Sequence, residues 1–137
     1  MRLSNMADYA VVVMSAASRH CGSSRVSATD LSAETGLALP TTQKLVSILT
    51  KAGLLRSARG AGGGITLSRP AAAISLADII EAVEGPIAMT TCCDTGKHAK
   101  GEHCAMEGSC TVQPHWAIVN QTLRGALAEI NLAGLVR

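Results

Sequence analysis

Four of the five cysteines, Cys92, Cys93, Cys104 and Cys110, fall among Asp94, Gly96, Lys97, His98, Lys100, Glu102, His103 and Glu107. Thiols in so polar a stretch are not packing a core; their chemistry is reactivity or ligation. A disulfide framework belongs to secreted chains in oxidising compartments. Structural zinc uses closely spaced cysteine pairs, whereas the gaps here are ten residues (Cys93 to Cys104) and five (Cys104 to Cys110). An iron–sulfur cluster needs soft thiolates that converge, and it accepts wider loop spacing. Three loop thiolates plus a fourth ligand from elsewhere would hold such a cluster loosely, which suits a sensor. A metal-free thiol switch would use the same residues. Cys21, near the end of a predicted helix, reads as a small core or surface residue.

Capping residues and apolar spacing define the elements around this segment. Ser4 caps a helix running to about Arg19, with Met6, Ala10, Val13, Met14 and Ala17 on one stripe. His20 to Arg25 forms a polar turn. Ser27-Ala28-Thr29-Asp30 is a cap followed three positions later by an acid; the short helix it opens turns Ala28 and Leu31 inward and stops at Gly36. After a turn over Leu37 to Leu39, Pro40 suits the first position of a third helix. That helix runs to about Ala52, buries Leu45, Ile48, Leu49 and Ala52, and ends at Gly53. Two short helices joined by a tight turn predict a helix-turn-helix. Leu54 to Ser57 and Ile65 to Ser68 are strand-like around the turn Arg59-Gly60-Ala61-Gly62-Gly63-Gly64, which makes a wing. A phosphate-binding loop would be followed by Lys-Ser/Thr and a helix, and here Ile-Thr-Leu-Ser follows.

Ser75 and Asp78 start a fourth helix that buries Leu76, Ile79, Ile80 and Val83 and ends at Gly85. No periodicity runs from Pro86 to Gln113, a loop long enough to be functional. Pro114 starts a last helix in which Trp116, Val119, Leu123, Leu127 (with Ala126) and Ile130 recur at three and four, a seam for a second copy. The expected architecture is mainly α with a small β-hairpin wing. It comprises a winged-helix DNA-binding domain over 1–75, a linker helix and cysteine-rich loop over 76–113, and a dimerisation helix over 114–137.

The net charge of +2 hides an asymmetry: eight Lys/Arg against three acids up to Ser75, then four against seven. A basic front half suits a polyanion. One Trp, one Tyr and no Phe exclude a base-stacking platform for single strands, and no apolar run is long enough to span a membrane. Tyr9 to Ala17 resembles a short signal segment, but Asp8 interrupts its approach and only Arg2 is basic; a cytoplasmic protein is expected. In a helix-turn-helix the second helix enters the major groove with its N-terminal residues at base edges, here Thr41, Thr42 and Gln43. Gln43 can pair with adenine, and threonine can meet a thymine methyl. Lys44 and Lys51 suit phosphates, with Ser47 between them, and Arg59 can reach the adjacent minor groove. Ser27 and Gly62 complete the expected contacts. One such head per chain predicts a homodimer on a palindromic double-stranded operator. A redox enzyme or cluster carrier would have no use for the head, so no enzyme is expected.

Met1-Arg2-Leu3-Ser4 with Asp8-Tyr9-Ala10-Val11, Leu39-Pro40, Lys44-Leu45, Gly53-Leu54-Leu55, the glycine wing and Ile130-Asn131-Leu132 together resemble the Rrf2 family of winged-helix repressors, over essentially the whole chain. Its branches include IscR-, NsrR-, RirA- and SUF-regulator-like members. The resemblance implies a homodimer with an iron–sulfur cluster (2Fe–2S or 4Fe–4S) in the loop near the dimer helix. It also implies control of iron–sulfur assembly, iron or redox-stress genes, with nitric-oxide sensing as the alternative beside the thiol switch. By the same resemblance Cys104 and Cys110 are cluster ligands together with Cys93, or Cys92 in its place, and Gln43 occupies a base-reading position. IscR-like members carry a histidine three residues after the last cysteine; this chain has Gln113 there, and His115 stands two further on. NsrR-like members borrow a carboxylate from the first helix of the partner subunit, the position that Asp8 occupies.

Overall fold

Ser4 lies in extended backbone and its hydroxyl accepts the Ala7 N–H, so α1 (Asn5–Arg19) starts where its cap dictates. The computed structural model describes residues 1–20, 22, 25–60, 63–96 and 104–136. Cys21, Gly62, Lys97, His98, Lys100, Glu102 and His103 lie outside the described residues. A reciprocal capping box between Ser27 and Asp30 opens α2 (Ala28–Thr35), which Gly36 closes at φ 76°, a left-handed conformation suited to glycine.

Helix α3 (Leu39–Lys51) carries Pro40 in its first turn. Its buried face is Thr42, Leu45, Val46 and Leu49. The expected stripe is thereby turned about the axis: Ile48 is half-buried and Ala52 exposed. The cause is that α1, α2, α4 and the first strand all pack on α3, so the core claims a wide arc reaching Val46.

Strands β1 (Leu55–Ala58) and β2 (Gly64–Leu67) pair antiparallel, Leu55 opposite Leu67 and Ala58 opposite Gly64. The Gly63 N–H donates to the Gly60 carbonyl at 2.8 Å, and a Cβ on Gly63 would stand 2.1 Å from the Ala58 carbonyl oxygen. That glycine is therefore a steric requirement of the turn. Val26 bridges to Ile65, tying the wing to the approach to α2.

Ser75 and Asp78 form a second reciprocal cap on α4 (Leu76–Glu84), which buries Ala77, Ile79 and Ile80 and leaves Leu76 and Val83 half-buried. Helix α5 (Gln113–Glu129) stops before Ile130, and α6 (Leu132–Leu135) follows. There the chain returns to the head. The Leu76 N–H donates to the Ile130 carbonyl at 2.7 Å, the Leu132 N–H to the Ile74 carbonyl at 2.8 Å, and Leu132 is fully buried. It joins Val13, Met14, Leu31, Leu45, Leu49 and Ile79 in one aliphatic cluster. Each such side chain contributes roughly 1.5–3 kcal/mol on burial.

Candidate nucleic-acid interface and thiol segment

The core takes one side of α3 and leaves Gln43, Lys44, Ser47 and Lys51 exposed on the other, with Thr41 half-exposed beside them. Thr42 corrects the expectation of a base contact. It is 0% exposed and its hydroxyl donates to the Ala38 carbonyl at 3.1 Å, so it packs the helix onto the core. Ser27 is exposed, but its N–H and hydroxyl both donate to Asp30 Oδ2 at 2.9 Å. Those bonds hold the Asp30 carboxyl below its ordinary value, the backbone bond first. Arg59 is exposed at the mouth of the hairpin turn.

Two arginines beside the wing were not among the expected contacts. Arg56 stands opposite Thr66 on the solvent face of the hairpin, and the backbone of Arg25 passes against Gly64. The alternation Leu55 in, Arg56 out was the readable signal for Arg56. Behind the head, Glu34 joins α2 to the end of α1: Oε2 lies 2.6 Å from His20 Nε2 and Oε1 accepts from Arg19 Nε at 3.0 Å. The His20 hydrogen bond, then that of Arg19, lowers the Glu34 pKa.

In the thiol segment, Cys92 is exposed and Cys93 half-buried within a 3-10 turn over Thr91–Cys93. The Thr90 hydroxyl lies 3.1 Å from Cys92 Sγ and 3.4 Å from Cys93 Sγ. Cys104 and Cys110 are half-buried, and all four thiols are free. Among the described residues no three His, Cys, Asp or Glu side chains come close enough to share a metal ion. Asp8 is exposed in the first turn of α1. The chain thus supplies the expected donors without gathering them.

The approach to the thiols is held by α5. Asn120 Oδ1 accepts the Met89 N–H at 2.8 Å, and its Nδ2 donates to the Ile87 carbonyl at 3.0 Å. Arg124 Nε reaches Glu81 at 2.8 Å, anchoring the same helix on α4. Leu123 and Leu127 are half-buried and line a hollow of about 670 Å³ with Ile80, Ile87 and Met89. No residue of α5 is buried; Ile118 is 63%, Val119 45% and Trp116 37% exposed. The expected stripe therefore divides: two leucines face their own chain, and the residues around Val119 face outward.

The family model described as Rrf2, an iron-dependent transcriptional regulator, matches residues 3–137. The chain belongs to the Rrf2 family. It is 34% identical over 137 residues to the HTH-type transcriptional regulator IscR of Xenorhabdus nematophila, covering 100% of this chain and 80% of that one. T. potens IscR superposes with a TM-score of 0.73 at 27% identity, covering 99% and 86% of the two chains. The oxidized form of Staphylococcus aureus CymR gives 0.71 at 28%, covering 100% and 97%. The winged helix is thereby established, and this Rrf2 chain is a DNA-binding transcriptional regulator of IscR-like type, not an enzyme. Among the described residues, no helix of the Rrf2 chain is long and apolar enough to cross a membrane.

Proposed function

We propose that this Rrf2 regulator is a homodimeric, cytoplasmic repressor whose affinity for a palindromic operator is set by an iron–sulfur cluster. The supporting observation is the sequence of parts on one chain. An exposed polar face on α3 is followed by four free thiols, and these lead directly into a helix with no buried residue. Residues 1–75 would read DNA, 76–113 sense, and 114–137 pair the subunits. Gln43 reads base edges with Thr41 beside it. Lys44, Ser47 and Lys51 hold phosphates, and Arg59 enters the minor groove, with Ser27 and Gly62 at the margins.

The donor set fits a cluster by its chemistry: soft, partly exposed thiols without a disulfide. Cys93 (or Cys92), Cys104 and Cys110 would hold it, with the partner subunit's Asp8 as fourth donor. When bound, a cluster supplies a link that responds to iron and oxidants. Since the described residues of one chain do not gather these donors, ligation requires the segment to rearrange. Asn120 would pass that rearrangement to α5 through Ile87 and Met89. About 1.4 kcal/mol of bias between two arrangements of the heads changes DNA affinity tenfold.

Protein purified without oxygen should be brown and contain iron and acid-labile sulfide. Cys104→Ala should lose colour and iron while Cys21→Ala keeps both; equal loss in the two variants would contradict the segment as the site. A second reading, a metal-free thiol switch, is favoured by the likeness to CymR solved in an oxidized form. It predicts colourless protein that loses two titratable thiols after peroxide.

A further inference from the structure

Beside the wing lies an open hollow of about 800 Å³, formed where the last turn of α3 meets the solvent face of the hairpin. Its polar lining is Arg25, Thr50, Arg56, Ser57, Thr66 and Ser68, and among the described residues no carboxylate contributes to it. Arg56 is exposed and, among the described residues, makes no ion pair. Ser68 donates its hydroxyl to the Gly53 carbonyl. The Thr50 hydroxyl is buried and, among the described residues, has no hydrogen-bond partner. An exposed arginine facing a threonine hydroxyl, with no ion pair of its own among the described residues, is the chemistry of an anion site, and the guanidinium fork matches phosphate geometry.

The topology selects which anion. A helix in the major groove and a wing in the adjacent minor groove straddle one sugar–phosphate strand. That strand has to pass between the end of α3 and the hairpin, where this hollow opens. We propose that the hollow is a backbone-phosphate seat for double-stranded DNA, with Arg56 as its principal ligand and the Thr66 hydroxyl, opposite it on the same face, beside it. Arg56 then positions the wing against the duplex without reading sequence. The proposal rests on α3 being the reading helix and adds a contact outside its face.

The test is fluorescence anisotropy with labelled duplexes about three helical turns long, of several unrelated sequences, between roughly 50 and 200 mM salt. Arg56→Ala should weaken binding about tenfold on every duplex. It should also make the slope of log K against log salt shallower by about 0.9 for each subunit engaged. Arg56→Lys should restore most of the slope. If Arg56→Ala matches wild type in affinity and slope while Lys51→Ala loses both, the phosphate seat is overturned and the reading head stands. Wild-type protein whose duplex binding does not depend on salt would overturn both.

Discussion

Gln43 and Lys51 share the exposed face of α3, and their chemistry separates the roles proposed for them. Gln43→Ala should flatten the ranking of operator variants, each correct bidentate contact being worth about 1–3 kcal/mol. Lys51→Ala should weaken all sequences alike and lower the salt slope by about one. Competition binding against a panel of single-base variants checks both, and an unchanged ranking in Gln43→Ala would remove that residue from base reading. Glu34 makes a pH prediction. Its folded pKa is depressed below the ordinary 4.5 by His20 and Arg19. Its stabilising effect is therefore complete above that value and disappears as pH falls through the folded one. Thermal melts should show the wild type losing more Tm than Glu34→Gln between about pH 5 and about pH 3. Parallel losses would mean the pair does not hold α1 to α2.

Among the elements, α5 links the thiol segment to α4. Asn120 grips the peptide from Ile87 to Met89 by both its amide atoms, and Arg124 fixes the helix on Glu81. Asn120→Ala removes two half-buried hydrogen bonds and leaves a carbonyl and an N–H seeking new partners. A loss of about 1–3 kcal/mol in urea unfolding is expected. Hydrogen exchange at the Met89 amide should accelerate while that of the α1 and α4 core amides follows only the global change. Protection of Met89 equal to wild type would show that α5 does not hold the segment. The wing is held differently, by backbone closure at Gly63 and by the Val26–Ile65 bridge, so its geometry does not depend on the thiols.

The molecule as a whole leaves an outward apolar surface around Ile118 and Val119, and Trp116 beside it. A second copy covering that surface would set two α3 helices at the spacing of successive major grooves, roughly 34–36 Å. Val119→Glu places a charge in that surface without touching the head core. If the proposed pairing holds, sedimentation should move the protein from a dimer to a species of 14.0 kDa. Duplex affinity should fall steeply, because two linked heads bind far better than one. A wild type that sediments as a monomer at micromolar concentration would refute the pairing.

Local chemistry was legible along the chain. Both capping boxes, the glycine at the end of α2, the hairpin and the start of α5 follow from neighbours a few residues apart, and such interactions do not wait for the rest of the fold. The thiol segment was legible as composition for the same reason. Which arc of α3 is buried was not, because that depends on α1, α2, α4 and β1 arriving from elsewhere; Thr42 went inward and Ala52 outward as a result. Nor could spacing show that Leu132 returns to the head core, that Asn120 clasps Ile87 and Met89, or that Arg56 overlooks a hollow. Each joins residues far apart in sequence or on separate elements, and such meetings exist only once the chain has closed on itself.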